Sequence, residues 1–538
     1  MKKFITLLLA LVMVLSLAAC GAGGDKAPDS SSKTPASNSS GGDNAAAPAD
    51  SGELEHMDIS VGYWDVETSL GGDDIQKFIE EKFNVTFEPM NVTWDDYYEK
   101  EQTWAATDSL PDVFCADFRA SATFGKWARE GVIRPIPEDL SAYPNLAAYL
   151  DSPAAEGCKV DGDLYCIFRK TYQEQAETVK DRIILYRWDL AQKVGVTKEP
   201  ETWDEFRDMI RKIMAADPEG KSIGGMTAPA MNYLVFPFLC YSVPGAVLEG
   251  IVFNWVDNGS GTYVPAYFGG KNLGDDVLPT FQLLRDMYTE GTIDPDMAMA
   301  TLAESNAKFL GGRAAALCTT DNQVKQQIND WPGTYGHDMN EDVKYLKLMP
   351  AVDGNTYYWA IDYAWSESMF SANVDDAKME RLLMIYDYLV SGEGALKGRF
   401  GNEGESYQIV DGKLEFIDNK AAVEVYPSCD VFGNLVSWCP ELPNGYVQPY
   451  TYPDWYEDWK AELTDLGRAC ESVMPTFDRA YTQAFMSLNS DFRIKIGEDM
   501  LNIMVGDRPV EEMWNEALTN YKTDGLEDVI KAVNEAVK

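Results

Sequence analysis

Strand and helix patterns alternate along residues 57–115, and this alternation constrains the fold more than any other feature of the chain. Short strands are predicted at 57–63, 85–87 and 110–115. Between them, residues 74–83 place their apolar side chains on one helical stripe, and a second capped helix follows the middle strand. This order predicts an α/β fold with a mainly parallel sheet, whose ligand crevice lies beyond the carboxyl ends of the strands.

Aromatic and acidic side chains follow two of these predicted strands. Trp64 and Asp65 come directly after the first strand, and Asp117 and Phe118 come just after the third. The carboxyl ends of parallel strands lie at one edge of a sheet. We therefore expect these four residues to point into a common crevice.

The N-terminus has the layout of a secretory leader. A short basic start precedes an apolar run over 5–17, which is shorter than the roughly 20 residues that a membrane span needs. Small residues then precede Cys20, and this pattern resembles a bacterial lipobox, in which the signal peptide 1–19 is removed and Cys20 receives lipid. The alternative is an ordinary signal cut near Ala19 with a chance cysteine beside it.

Residues 20–56 are predicted to form a lipidated cysteine followed by a disordered linker. Gly, Ala, Ser, Pro, Asp and Asn dominate residues 21–55, which contain no aromatic side chain. Such a segment cannot bury enough apolar surface to offset the entropy of folding. The linker is expected to tether an exported body to a membrane surface.

Length and charge limit what that body is and what it binds. Residues 57–538 are too many for one hydrophobic core, so two lobes are expected, and they contain no second apolar run long enough to span a bilayer. The formal net charge of −42 argues against nucleic acid and against adhesion to anionic lipid. It favours a neutral or cationic ligand, although a local basic site within the acidic chain stays open.

Histidine and cysteine usage excludes several chemistries. The chain has two histidines, His56 and His337, and the first lies at the edge of the linker, so a His-rich metal site or a Ser-His-Asp triad has almost no histidine to draw on. Eight cysteines follow the lipobox, and none forms a Cys-x-x-Cys pair. Cys158 with Cys166 and Cys429 with Cys439 are candidates for disulfides outside the cell, but we favour separately buried thiols.

The segment 183–206 has a recurring family pattern. It contains a strand that runs into Tyr186-Arg187-Trp188-Asp189, then Gly195-Val196, then Pro200 to Phe206 with Thr-Trp-Asp-Glu-Phe at its end. This resembles the extracellular solute-binding proteins of ABC importers, in particular the carbohydrate-binding lipoproteins of Gram-positive bacteria. Further segments resemble that family in the same order: Leu110 to Phe114, Asp161 to Tyr165, Tyr288 to Pro295, Phe309 to Ala315, Tyr388 to Gly394 and Gly401 to Gly404.

The resemblance implies a two-lobed α/β fold of the periplasmic-binding-protein type (type II). Strands would cross between the lobes near residues 169–182 and again near 351–362, with the ligand held in the cleft. The first lobe would comprise residues 57–172 with 357–395, and the second residues 173–350 with 396–538. The C-terminal third is predicted to be helical.

The resemblance also implies a function. The chain would be a binding lipoprotein, not an enzyme, that captures an extracellular oligosaccharide and delivers it to an ABC permease. It would be a monomer, held by its lipid at the extracellular face of the cell membrane, with no cofactor and no nucleic acid partner. A receptor of the same fold for another solute, such as a peptide, stays open, and so does an exported glycoside hydrolase.

One stretch departs from the family pattern. Some of the family's oligosaccharide binders have a calcium loop rich in Asp, Asn and Gly after the capped helix. Here the corresponding residues 217–224 lack the alternating oxygen ligands and the final bidentate acid that such a loop needs. We therefore expect no metal there.

Saccharide sites combine flat aromatic rings with carboxylates and amides, because sugars present apolar CH faces and hydroxyl edges. Tryptophans on helical stripes, such as Trp104, Trp127, Trp203 and Trp514, are expected in the cores. Those in turn-rich segments after strands are expected at the ligand, with half-buried aromatics and solvated acids as the alternative. The predicted ligand-binding set is Trp64, Asp65, Asp117, Phe118, Asp321, Trp359, Asp362, Trp365 and Trp438.

Overall fold

The structure, a computed structural model, describes residues 54–538 with the exception of 95, 120, 248–253, 362–363, 447–451, 477 and 489–491. The predicted leader, Cys20 and most of the predicted linker lie outside the described residues. Among the helices that are described, none has both the length and the apolar composition that a membrane crossing requires.

Five strands form the first sheet, in the spatial order Val85–Val92, Met57–Trp64, Val113–Ala116, Ala364–Phe370 and Cys166–Lys170. The first three are parallel, as the alternation of strands and helices predicts. The strand Ala364–Phe370 pairs antiparallel with both of its neighbours. The sheet is therefore mixed rather than mainly parallel, because this strand enters from the second lobe and not through a helical crossover within the first.

Four strands form the second sheet, in the spatial order Val343–Tyr345, Ile183–Arg187, Ala314–Thr319 and Gly224–Thr227. Ala314–Thr319 and Ile183–Arg187 are buried along their whole length, as expected for strands that are covered on both faces. Three two-stranded hairpins are also present: Lys159–Val160 with Asp163–Leu164, Trp255–Asp257 with Tyr263–Pro265, and Tyr407–Val410 with Lys413–Phe416.

Helices surround both sheets, and several begin at a capping side chain. Asp73 accepts hydrogen bonds from the backbone N–H groups of Ile75 and Gln76, and Thr202 accepts one from Glu205; such caps stabilise a helix start. Helices beside the first sheet are Val66–Ser69, Asp74–Phe83, Tyr97–Ala106, Ala122–Glu130, Pro144–Leu150, Asp376–Val390, Gly392–Phe400, Ala422–Val425 and Cys429–Asn434. Those beside the second are Trp188–Lys193, Trp203–Ala216, Met231–Leu239, Leu278–Thr289, Leu302–Leu310, Asp321–Tyr335, Asp454–Cys470, Arg479–Ser487, Ile496–Val505, Val510–Thr523 and Leu526–Ala536.

Two large hydrophobic cores form the described body, one around each sheet. The chain passes from the first sheet to the second between Cys166–Lys170 and Ile183–Arg187 and returns between Val343–Tyr345 and Ala364–Phe370. A third passage joins Val436, in the first core, to the C-terminal helices of the second. The first two passages lie near the predicted crossings, although residues 171–182 contain the 3-10 helix Gln175–Asp181 rather than a crossing strand. The third has no counterpart in the sequence analysis.

The cores divide the chain differently from the predicted lobe boundaries at two places. Residues between 422 and 436 belong to the first core, although 396–538 were assigned to the second lobe. The helix Gly392–Phe400 packs closely on Cys429–Asn434, where a Cβ atom added at Gly433 would lie 3.0 Å from the Arg399 Cα atom. Residues 357–360, assigned to the first lobe, pack in the second core. Helical periodicity identifies a buried face but not the lobe that buries it.

The eight cysteines of the body are free thiols in the structure. Cys439 is half-buried, and the other seven are buried. Neither Cys158 with Cys166 nor Cys429 with Cys439 forms a disulfide in the structure, although the buried thiols of Cys158 and Cys166 lie within hydrogen-bond reach of each other.

Candidate functional site

A deep cleft is lined by side chains from both lobes and from the passage at 171–182. Its volume is about 2510 Å³, well above the roughly 300–1,000 Å³ that is typical of small-molecule pockets. The second lobe contributes the starts of the helices Asp321–Tyr335 and Asp454–Cys470. The cleft therefore has the position that the α/β architecture predicts for a ligand site.

Three tryptophans line the first-lobe side of the cleft, and we call Trp94, Trp365 and Trp438 the tryptophan platform. The ring centroids of Trp94 and Trp365 are 6.0 Å apart with an interplanar angle of 18°, and those of Trp365 and Trp438 are 5.9 Å apart at 30°. Trp94 is 53% exposed, and the other two are half-buried. A group of indole rings of this kind offers a large apolar contact area.

Trp64 lies behind the platform and does not line the cleft. Its side chain is 2% exposed, and its ring stacks on Trp94 with the centroids 4.7 Å apart and the planes 10° apart. The centroid of Trp365 is 5.9 Å away. Because Trp64 is the last residue of the strand Met57–Trp64, the platform is supported directly by the first sheet.

Asp117 fixes the edge of one platform ring. The Trp365 Nε1–H group donates a hydrogen bond to Asp117 Oδ2 at 3.2 Å. Burial raises the pKa of Asp117, and the hydrogen bond from Trp365 and the charge of Arg119 offset part of that rise. Nearby, Glu367 Oε1 accepts the backbone N–H groups of Phe118 and Arg119. Burial and the adjacent Asp117 raise the pKa of Glu367 to about 8.

The second-lobe side of the cleft is built from ion pairs and tyrosines. Lys325 Nζ lies 2.5 Å from Asp321 Oδ2, and the Tyr456 hydroxyl donates to Asp321 Oδ1. The Tyr452 ring centroid is 5.4 Å from Lys325 Nζ and 5.9 Å from Lys460 Nζ. Burial raises the pKa of Asp321, but the charge of Lys325 outweighs this effect and holds the pKa below its usual value. Asp321 is thus an ionised acceptor at neutral pH.

Arg182 adds a cation beside the first passage between the lobes. Its guanidinium carbon lies 4.8 Å from the ring centroids of both Tyr233 and Phe236. Its Nη1 atom lies 2.5 Å from Asp181 Oδ2. All four residues line the cleft. Stacking and ion pairing together hold a charged donor group at this edge of the site.

The charge of the cleft differs from that of the whole chain. Its described lining includes ten basic and nine acidic residues, whereas the chain has 45 basic and 87 acidic residues. Acidic residues are therefore concentrated away from the cleft. A ligand in the cleft therefore meets charged groups of both signs in nearly equal number.

Four members of the predicted ligand-binding set line the cleft together. They are Asp117, Asp321, Trp365 and Trp438. They reach it from four distant segments of sequence, and Trp365 and Asp117 share a hydrogen bond. Contact of these four with a ligand stays a prediction.

The other described members lie elsewhere. Asp65 is exposed, and it precedes the short helix Val66–Ser69 with a φ of 51°. Phe118 is fully buried, with its ring centroid 4.8 Å from that of Trp127. Trp359 is 7% exposed in the second core, where its carbonyl accepts the hydroxyl of Thr178. Asp362 lies outside the described residues.

Sequence reasoning missed several cleft residues, of which Trp94 and Tyr452 are the clearest. Trp94 comes two residues after the strand Val85–Val92. The sequence predicted this strand only over 85–87, so the strand-end rule that selected Trp64 did not reach Trp94. Tyr452 precedes the helix Asp454–Cys470 and had no such signal. The tryptophans expected in the cores are confirmed there: Trp127, Trp203 and Trp514 are buried, and Trp104 packs against the first core.

The stretch at 217–224 forms a compact turn. The Asp217 carboxylate accepts the backbone N–H groups of Lys221 and Ser222 at 3.1 and 3.0 Å. Its oxygens are therefore already used by the backbone. Within the part of the chain that the structure describes, no group of three or more His, Cys, Asp or Glu side chains is arranged to hold a metal ion.

Two lobes with a deep cleft between them define a ligand-binding protein of the periplasmic-binding-protein-like class. The chain belongs to the family of bacterial extracellular solute-binding proteins, which it matches over residues 68–366, more than half of its length. The fold and the family that the sequence motifs predict are thereby confirmed.

Relatives and solved structures agree with this assignment. Lipoprotein LipO of Bacillus subtilis is 21% identical over 483 residues, which cover 84% of this chain and 86% of that protein. The alginate-binding protein AlgQ2, solved without calcium ion, aligns with a TM-score of 0.66 and 16% identity over 89% of this chain and 98% of its own. The S. pneumoniae ABC-transporter substrate binding protein FusA, in complex with kestose, aligns with a TM-score of 0.64 and 14% identity over 90% and 99%.

Proposed function

We propose that the chain is the receptor of an ABC importer and captures an extracellular oligosaccharide in the cleft. The tryptophan platform is the observation that supports this most strongly, because partly exposed indole rings stack on the apolar faces of sugars. The second lobe supplies carboxylates, ammonium groups and hydroxyls that pair with sugar hydroxyls. The cleft volume of about 2510 Å³ suits several sugar units rather than one small solute.

The similar structures support a saccharide ligand. AlgQ2 is described as an alginate-binding protein, and FusA was solved with kestose bound. We propose that Asp117, Asp321, Trp365 and Trp438 contact the saccharide together with Trp94, and that Trp64 and Phe118 support this surface from behind. A peptide is the alternative solute for the same fold.

The proposal includes a lipid anchor and a membrane partner. We infer that Cys20 is lipidated, that the chain is displayed on the extracellular face of the cell membrane, and that it hands its ligand to the permease. The name of the relative LipO, a lipoprotein, supports the anchor. Replacing Cys20 with Ala should release the body or leave the leader attached, without changing ligand affinity; membrane retention equal to that of the wild type would contradict the anchor.

Closure of the cleft is the expected mechanism of capture. We infer that the monomer closes by rigid movement of the two lobes about the passages between the sheets, because one ligand that contacts both walls favours the closed arrangement. Saturating ligand should therefore shrink the particle in small-angle X-ray scattering and raise its melting temperature. Identical scattering curves with and without ligand would contradict hinge closure.

A thermal-shift screen tests the function directly. The purified protein is heated with a panel of neutral malto-, cello-, fructo- and galacto-oligosaccharides and, in parallel, with peptides of matched size. Stabilisation by an oligosaccharide but not by the peptides is the expected result, and the reverse would favour the peptide receptor. Chromatography of the incubated oligosaccharides tests the hydrolase alternative, because a receptor returns them uncleaved.

A further inference from the structure

Arg169 is fully buried behind the tryptophan platform. Its guanidinium carbon lies 4.8 Å from the ring centroid of Trp64 and 4.7 Å from that of Trp438. The residue belongs to the strand Cys166–Lys170, so its backbone is held by the first sheet. The guanidinium thus lies over both indole rings at once, and the planar group of arginine covers more of each ring than the compact ammonium group of lysine.

The same guanidinium donates hydrogen bonds to one side chain and one backbone carbonyl beside the platform. Arg169 Nη2 donates to Ser366 Oγ at 2.6 Å, and Nη1 donates to the Asn434 carbonyl at 3.3 Å. Ser366 Oγ also accepts the Trp438 Nε1–H group at 3.2 Å. One hydroxyl thus connects the buried cation with the edge of a cleft-lining ring.

Ser366 lies at an irregular point in its strand. Its φ is 63°, in the left-handed region that non-glycine residues seldom adopt. The strand register shifts between Ala364 and Glu367 at the same place. Irregularities of this kind change the direction of neighbouring side chains, and Trp365, the residue before Ser366, lines the cleft.

We propose that Arg169 is a positioning residue for ligand binding, which holds Trp438 by stacking and Trp365 through Ser366. This rests on the proposed function of the platform. Arg169 does not contact the ligand, because it is 0% exposed and is not among the described residues that line the cleft. Its two ring contacts and two hydrogen bonds require the planar, forked guanidinium of arginine, so lysine is not a conservative replacement.

Arg169→Lys tests the proposal, with Arg381→Lys as the matched control. Arg381 is 4% exposed beside the same core and donates to the backbone carbonyls of Glu55 and Asn84. It does not line the described cleft. Both variants remove a buried guanidinium, so both are expected to lower the melting temperature.

Three measurements separate positioning from general stability. They are affinity for the tightest binder of the oligosaccharide panel, acrylamide quenching of tryptophan fluorescence without ligand, and melting temperature. Arg169→Lys should weaken binding about tenfold or more and increase quenching, given the usual strength of a desolvated cation–π contact. Arg381→Lys should leave the affinity within about twofold of the wild type and leave quenching unchanged, because it lies outside the platform.

Wild-type affinity and quenching in a folded Arg169→Lys variant would overturn the proposal, and so would equal losses of affinity in both variants. Should Arg169→Lys fail to fold, Ser366→Gly removes the shared hydroxyl at a φ that glycine adopts without strain. It should change affinity and quenching in the same direction. Failure of the wild type to bind any oligosaccharide would refute the proposed function, and quenching would then decide whether Arg169 positions the rings.

Discussion

The two walls of the cleft differ in how they are attached to the protein. The tryptophan platform stacks on Trp64 and Arg169, both of which are buried in strands of the first sheet. The second-lobe wall uses ion pairs at helix starts, and its side chains Asp321 and Lys325 are 18% and 25% exposed. The first wall is therefore anchored in a hydrophobic core through stacked rings, whereas the second consists of partly buried ion pairs at helix starts.

This difference predicts how substitutions in each wall change the unfolding free energy and the binding free energy. The stacked rings of the platform contact the core behind them, so their position and orientation cannot change without disturbing that core. Partly exposed ion pairs contribute about 0–1 kcal/mol to stability. We therefore expect substitutions in the first wall to change stability and affinity together, and substitutions in the second wall to change affinity alone and by less.

Trp64→Ala should have the largest effect. Removing a buried tryptophan costs about 3–5 kcal/mol of unfolding free energy, and Trp94 loses the ring on which it stacks. The matched control is Trp331→Ala, which removes a ring that is 0% exposed in the second core. Denaturant unfolding and calorimetric titration should show similar stability losses but weaker ligand binding only for Trp64→Ala; normal affinity in that variant would make Trp64 a core residue alone.

Asp499→Asn tests whether a partly buried carboxylate of the second lobe, in the helix Ile496–Val505, contributes to stability. The Tyr521 and Tyr267 hydroxyls donate to Asp499 Oδ2 at 2.6 and 3.1 Å, and burial raises the pKa of Asp499 to about 6. Because the pKa is raised on folding, the stability that this group contributes is fully present below its unfolded pKa of about 3.9 and is lost as pH rises through about 6.

The expected result is a change in the difference between wild type and Asp499→Asn. The unfolding free energy of the wild type relative to the variant should fall by at most about 3 kcal/mol between about pH 4 and pH 7. Urea unfolding across that range measures it. A difference that stays constant with pH would mean that Asp499 has an ordinary pKa in the folded protein.

Trp94→Ala should reduce affinity with a smaller loss of stability, because its side chain is 53% exposed. Loss of a stacking ring should cost about 1–2 kcal/mol of binding free energy. Tyr98→Ala is the control, since this ring is 43% exposed and does not line the described cleft. Equal affinities of the two variants would remove Trp94 from the site.

Asp321→Asn should have the smallest effect. Exchanging a charged acceptor for a neutral one costs about 1 kcal/mol of binding free energy, and the Lys325 pair contributes little to stability. Asp204→Asn is the control on an exposed carboxylate that pairs with Arg207 outside the described cleft. A loss of affinity larger than that of Trp94→Ala would reverse the ranking of the two walls.

Much of the fold was predictable from local patterns. The parallel strands near residues 57, 85 and 113 begin within a few residues of their predicted positions, and the C-terminal third is helical as expected, because hydrophobic periodicity is a local property. The lobe that buries a helix is not local. The helix Cys429–Asn434 therefore packs in the first core although its position in the chain suggested the second.

The site was predictable to the extent that strand ends determine it. Asp117 and Trp365 lie at or just beyond strands of the first sheet, and both line the cleft. Trp359 also lies in a turn-rich segment, yet its side chain is in the second core. Sequence alone does not determine which side of a loop faces solvent. It also does not indicate that Arg169 is a buried partner of the platform, because that role depends on contacts with rings from distant segments.

The most direct test of the account is a calorimetric titration of the wild type and of the double variant Trp365→Ala/Trp438→Ala with the tightest oligosaccharide of the panel. The wild type should bind one oligosaccharide per chain, and the double variant should show affinity lower by about a hundredfold or more if each ring contributes at least ~1.4 kcal/mol. Unchanged affinity in a folded double variant would contradict the claim that the tryptophan platform binds the ligand.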